Sequence, residues 1–315
     1  MKYKIAFFTE GMYTGKISRA HPNSRVDLAW QIALDANHHN FKDSFDDIYD
    51  FGIILLPKVK PELVFKNINF IKSRCKYVAL MQEGPNWYWE DYSLELQIEY
   101  LNLLRSVDLI LCHNESDINY YKGISGKKEV YVMPSLIIED GLPIMIPGVK
   151  RNGVMIGGNM CSWYGGMVSY LVASELDLPL YAPSMGRKIP REDELPITYL
   201  PYMNWKDWMG ELHKRKFAVH LMKTKAAGSF ALNCARLAIP CIGFMGLDTQ
   251  EKCFPKLTVR DGDINRAIQI IKRLKDDANF RECVVAEAKE NYREFDESNF
   301  IIHMQGIFSK IFKEV

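Results

Sequence analysis

Short, continuous apolar runs recur along the whole chain, separated by stretches with helical periodicity, and no other feature narrows the possible folds as far. Runs such as Ile5-Ala6-Phe7-Phe8 and Leu109-Ile110-Leu111-Cys112 show no polar alternation. A strand with one solvated face alternates apolar and polar residues. A strand buried on both faces does not, and that pattern marks a parallel sheet covered by helices on each side. The first half predicts strands at Lys4–Phe8, Phe51–Leu56, Tyr77–Met81, Leu109–Cys112 and Val130–Met133, with helices at Arg25–Ala36, Pro61–Ser73, Leu94–Arg105 and Glu115–Lys122. The second half restarts the alternation at Gly153–Ile156 and continues through Pro179–Ala182, Phe217–Leu221, Cys241–Phe244 and Lys256–Val259. The expected class is therefore α/β, doubly wound, with two Rossmann-like parallel-sheet domains facing a cleft.

Length supports two domains, because 315 residues with 48% hydrophobic content suffice for two cores of roughly 150 residues each. Gly141–Asn152, punctuated by Pro143, Pro147 and Gly148, is the expected hinge. It separates a first domain, 1–150, from a second domain, 151–295. Ligands of open α/β sheets bind beyond the carboxyl ends of the strands, so function is sought in those loops.

Charge gives little direction. Forty Lys+Arg against thirty-nine Asp+Glu leave +1, divided into about −2 before residue 150 and +3 after it, so any nucleic-acid surface must be local. The seven cysteines are scattered without Cys-x-x-Cys spacing and are expected to be free buried thiols. No apolar run of eighteen residues occurs and the start carries no cleavage-site pattern, so the cytoplasm is the expected location.

Several strand-end positions carry chemistry. Glu83 follows an apolar run and precedes Gly84-Pro85, where its carboxylate can act as a general base. His113 ends another strand and is a second catalytic candidate, and His220 ends a third, ahead of Lys223 and Lys225. The two lysines are placed to meet an anionic group. Trp87, Tyr88, Trp89 and Tyr92 form an aromatic cluster suited to stacking on a sugar or a base. Lys16, Arg19 and Arg25 lie in or near the glycine loop Gly11–Lys16, which lacks Walker spacing. Asp261 and Asp263 read as a turn and a helix N-cap rather than as metal ligands, and Asn279 reads as the start of the last long helical region before 296. His38-His39, with no third ligand at metal spacing, is expected at the surface.

The stretch Gly228-Ser229-Phe230-Ala231-Leu232-Asn233-Cys234-Ala235-Arg236-Leu237-Ala238-Ile239-Pro240-Cys241-Ile242 resembles the nucleotide-sugar signature of the GT-B glycosyltransferases, families 4 and 1. That signature runs Glu-Gly-Phe-Gly, then Glu-Ala-x-Ala-x-Gly-x-Pro-Val-Ile. Gly228 and the small-residue helix are kept. Lys225 and Asn233 stand where the two glutamates would be. Val154-Met155-Ile156-Gly157-Gly158-Asn159 resembles the strand and glycine loop that open the donor domain, and Val259-Arg260-Asp261-Gly262-Asp263 resembles its late strand and capped helix.

The resemblance implies a glycosyltransferase that moves a sugar from a nucleotide-diphosphate sugar, with UDP the expected nucleotide, to a hydroxyl, with no cofactor and no metal. It implies donor contacts from Gly157, Gly158, Asn159, Lys223, Lys225, Gly228, Ser229 and Asn233, and a final helical segment, 296–315, packing on the first domain. Catalysis falls to Glu83 and His113, and acceptor binding to Lys16, Arg19, Trp87 and Trp89. The chain also looks like phage enzymes that glycosylate hydroxymethylated bases, which makes modified duplex DNA one expected acceptor and a glycan or lipid-linked sugar the alternative. A nucleotide-sugar-binding protein without catalysis and a nucleotide-sugar epimerase remain the other readings.

Overall fold

A computed structural model of the chain describes residues 2–11, 13–127, 129–142, 149–184 and 189–313. The expected hinge, Gly141–Asn152, lies partly outside the described residues. The chain divides into two compact units, one comprising Met1–His21, Val26–Pro134 and Glu297–Val315, the other Pro22–Arg25 and Ser135–Asp296.

In the first unit the elements run β1 (Ile5–Thr9), β2 (Gly15–Lys16), α1 (Asp27–Ala33), β3 (Asn37–Asn40), β4 (Tyr49–Leu56), α2 (Glu62–Arg74), β5 (Cys75–Gln82), α3 (Leu94–Ser106), β6 (Leu109–Cys112), α4 (Asp117–Ser125) and β7 (Val130–Val132). Among the described residues they form a seven-stranded sheet ordered β2-β3-β1-β4-β5-β6-β7. All pairs are parallel except the two-residue β2, which runs antiparallel to β3. Every residue of β1 and of β6 is buried, as strands covered on both faces require. One face packs Phe8, Ile54, Leu80 and Ile110 against Val64, Tyr100 and Leu104 of the helices.

The second unit runs β8 (Val154–Ile156), α5 (Gly166–Ser174), β9 (Leu180–Pro183), β10 (Ile197–Leu200), α6 (Trp205–His213), β11 (Phe217–His220), α7 (Ser229–Arg236), β12 (Cys241–Phe244), α8 (Asp248–Cys253), β13 (Thr258–Val259), α9 (Ile264–Asp276) and α10 (Ala278–Asn291). Among the described residues its six strands are all parallel, ordered β10-β9-β8-β11-β12-β13. The last helix, α11 (Glu297–Ile311), belongs to the first unit. There Phe308 meets Phe51 and Tyr3 edge-on at 5.0 and 5.6 Å, covering the other face of that sheet.

Helix ends follow local chemistry. Asp263 caps α9 by accepting the Arg266 amide at 3.0 Å, and α9 buries Ala267, Ile270, Ile271 and Leu274 at helical spacing. Asn204 caps α6 the same way, accepting from Asp207 at 3.0 Å. The start expected at Asn279 is corrected. Asp277 is the cap of α10, its carboxylate accepting the Phe280 amide at 2.8 Å, which places the helix start at Ala278. The helix expected over Arg25–Ala36 contracts to Asp27–Ala33.

The surface placement expected for His38-His39 is also corrected. Both lie in β3, 0% and 6% exposed, in a parallel strand paired with β1. Polar side chains hid this strand from an apolar-run criterion, and the structure shows how they are accommodated. His38 Nε2 pairs with Thr9 Oγ1 at 2.6 Å and its Nδ1 with the Tyr13 carbonyl, while His39 Nε2 pairs with the Tyr49 hydroxyl at 2.7 Å. Burial lowers both imidazole pKa values. Strands β2 and β10 escaped the same criterion, and the expected Lys256–Val259 strand is a 3₁₀ turn, Pro255–Leu257, leading into β13. All seven cysteines are free, six of them buried and Cys283 exposed.

Candidate active site

In the second unit the chain passes from β8 to β9 and β10 on one side, then returns to build β11, β12 and β13 on the other. The order reverses between β8 and β11, and the crevice at such a reversal is where parallel sheets bind ligands. Gly157 follows β8 there, its amide donating to the Val219 carbonyl at 2.9 Å. A Cβ at Gly157 would lie 2.4 Å from Cγ of His220, so only glycine lets the two strand ends sit this close. Gly158 likewise sits against Tyr164, and Gly166 against the Asn159 carbonyl at 2.1 Å from a built Cβ. Side chains therefore close on the backbone at Gly157 and Gly158, and backbone meets backbone between Asn159 and Gly166 at the start of α5. The Leu221 amide, bonded to Ser169 Oγ at 2.9 Å, fixes the end of β11 to the same helix.

Beyond β11 the loop carries Lys223 and Lys225 and ends at Gly228, which precedes α7 with φ of 62°. Thr249 Oγ1 donates to the Gly228 carbonyl at 2.7 Å and Ser135 Oγ to the Ala227 carbonyl, so the turn is held from both sides. This leaves Ser229 at the amino end of α7, whose first amides have no partner within the helix and favour an anion. Lys223 is exposed. Lys225 is half-buried across Gly246 and meets the Asp261 carboxylate at 3.4 Å. Asn233 is buried one turn into α7.

Two polar side chains at this edge each carry an atom without a hydrogen-bond partner among the described residues. Asn159 is buried, its Oδ1 accepting the Cys161 amide at 3.2 Å while its Nδ2 has no hydrogen-bond partner among the described residues. His220 Nε2 has none either, and burial lowers that imidazole's pKa to about 4.

In the first unit the reversal falls between β1 and β4. Glu10 follows β1, Lys58 lies just beyond β4, and Glu83 follows β5, whose end is fixed by the Glu83 amide donating to Leu56 at 3.0 Å. The Glu83 carboxylate is exposed and lies 3.4 Å from Lys58 Nζ. Burial, then the neighbouring Glu83 charge, raise the pKa of Glu10, with Lys60 and Lys58 opposing. Two carboxylates and two lysines thus share this edge, and only Glu83 was singled out from the sequence. Glu10 sits in an unremarkable Thr-Glu-Gly, and its neighbours become visible only once the strands are laid side by side.

His113, just beyond β6, stacks on Trp30 at 5.9 Å. The Gln82 backbone faces its ring, and burial lowers its pKa to about 4. On the neighbouring strand end Gln82 is 3% exposed with both amide atoms unpartnered.

The acceptor candidates divide. Trp87 is 37% exposed. Trp89 stacks on Tyr100 at 5.2 Å and its Nε1 donates to the Tyr120 hydroxyl at 2.8 Å, a packing arrangement. Lys16 is paired with Asp35 at 2.6 Å, and Arg19 forms a two-pronged contact with Glu297 at 2.6 and 2.8 Å. Among the described residues no group of three or more His, Cys, Asp or Glu is arranged to hold a metal ion, and no helix is long and apolar enough to cross a membrane.

No family model and no curated protein matches this sequence. Solved structures do. The sucrose-phosphate synthase of Thermosynechococcus elongatus is similar over 100% of both chains, with a TM-score of 0.71 at 11% identity. Anabaena HepE, solved with UDP and glucose, is similar over 98% of this chain and 100% of its own, with a TM-score of 0.66 at 13% identity. The UDP-forming trehalose-phosphate synthase of Burkholderia xenovorans is similar over 82% of this chain and 73% of its own, with a TM-score of 0.60 at 10% identity. The chain shares their fold, the two-sheet α/β architecture of the GT-B glycosyltransferases.

Proposed function

We propose that the protein is a glycosyltransferase that takes a sugar from a nucleoside-diphosphate donor, UDP-linked, and passes it to a hydroxyl. The observation that carries this is the second unit's strand edge. There a glycine loop, the helix start at Gly228-Ser229 and the cations Lys223 and Lys225 lie at the reversal of a parallel sheet. Neighbours of the same fold solved with UDP add support. In the transfer, a base removes the proton of the acceptor hydroxyl, whose oxygen bonds to the anomeric carbon as the bond to the β-phosphate oxygen breaks. Glu83 is assigned the base role, because its carboxylate is exposed at a strand end. Lys223, Lys225 and the amides opening α7 take up the negative charge of the leaving diphosphate. Asn233 is assigned to the ribose, since an amide can both donate to and accept from its hydroxyls.

The acceptor arm of the test separates the substrate classes. Labelled UDP-sugars are offered with hydroxymethylcytosine-containing duplex DNA, with a glycan and with no acceptor, and UDP release and product are measured. Acceptor-dependent UDP release supports transfer. The exposed ring of Trp87 offers a stacking surface to a base or a sugar, and transfer to modified DNA must weaken with salt as counterions are released. A free epimerised sugar, or binding without turnover, would replace the transferase assignment. Lys225→Ala and Asn233→Ala should each weaken UDP binding by about tenfold, near 1.4 kcal/mol. Wild-type affinity in both would remove the donor site from this edge.

A further inference from the structure

The imidazole of His220 is buried, 8% exposed, at the sheet reversal. Its ring is held from two sides. The backbone of Gly157 lies against it so closely that no side chain fits there, and Phe230 in the first turn of α7 meets it edge-on at 4.9 Å. Nothing among the described residues bonds its Nε2, and nothing bonds Nδ2 of Asn159, which stands two residues beyond Gly157 and is 1% exposed. Leaving a buried polar atom without a partner is costly, so two such atoms at adjoining strand ends point to a ligand that supplies the partners.

We infer that His220 and Asn159 bind hydroxyl groups of the donor's sugar and so set which sugar is accepted. This rests on the second unit being a nucleotide-sugar site. The diphosphate, being anionic, calls for Lys223, Lys225 and the amides at the start of α7, while an uncharged imidazole and an amide match groups that donate and accept hydrogen bonds without charge. Burial keeps the ring uncharged at neutral pH. The contact with Phe230 in the first turn of α7 sets the His220 ring beside the diphosphate cradle rather than in it. A hydroxyl in the wrong orientation would leave the buried atoms unpaired, the condition under which polar sites discriminate most strongly.

The test uses the full chain and calorimetric titration with UDP, UDP-glucose and UDP-N-acetylglucosamine. His220→Phe should leave UDP affinity within about twofold and weaken the preferred UDP-sugar by about tenfold, and His220→Gln, which keeps a donor and an acceptor, should recover most of that loss. Wild-type protein labelled with ¹⁵N at histidine provides a readout independent of any variant's folding: the Nε2 resonance of His220 should move on adding the UDP-sugar and stay in place with UDP. Equal losses for UDP and UDP-sugar, unchanged preference in His220→Phe, or an unmoved resonance would overturn the inference while leaving the nucleotide site intact. Failure of the wild type to bind UDP at all would remove the site and this inference together.

Discussion

Acidification should unfold this protein through its buried histidines, and the size of the effect follows from two of them. His113 and His220 are each lowered by burial from 6.5 to about 4. For a base the sign runs one way: as pH falls below 6.5 the unfolded chain takes up the proton while the folded chain resists until about 4. Stability is therefore complete above 6.5 and is lost as pH falls towards 4. A difference of about 2.5 units at 1.36 kcal/mol per unit gives roughly 3 kcal/mol for each residue, most of it gone by pH 4.5. That is a large share of the stability of an ordinary domain. Carboxylates titrate over the same range, so the assay is a difference: urea-unfolding midpoints of wild type, His113→Gln and His220→Gln at pH 7.5 and pH 4.5. Each variant should lose less stability than wild type between the two pH values, by about 2–3 kcal/mol. Parallel losses in wild type and both variants would show that these imidazoles are charged in the folded state, which would refute the account of their burial.

Glu83→Gln should keep donor affinity while turnover falls roughly 100-fold, read from UDP release against direct binding; unchanged turnover would reject the base assignment. Gly165→Ala should fail to fold or lose more than about 3 kcal/mol, because φ of 63° and the Leu221 carbonyl at 1.9 Å from a built Cβ leave no room. Gly306→Ala in α11, with nothing within 4 Å, should instead stabilise by about 0.5–1 kcal/mol in the same melts. Asp277→Ala should cost about 1 kcal/mol as the lost cap of α10, whereas Asn279→Ala should be nearly neutral; the reverse order in thermal melts would put the helix start back at Asn279.

The sequence by itself determined what burial writes into residue type. Strands such as Leu109–Cys112 and Cys241–Phe244 are apolar throughout because both faces are covered, so their positions are legible without coordinates. The cap of α9 was legible for a similar reason, since Asp263 bonds to an amide only three residues away. What tertiary structure decided is whatever depends on partners distant in the chain. His38 and His39 read as surface residues until Thr9, Tyr13 and Tyr49 are brought to them. Glu10 gains its neighbour Glu83 only through the pairing of β1, β4 and β5. Gly157 was legible as a loop glycine, but its need to be glycine comes from His220, on a neighbouring strand 63 residues later. Local chemistry is written in local sequence, whereas the strand order that assembles a site is set by the packing of the whole sheet.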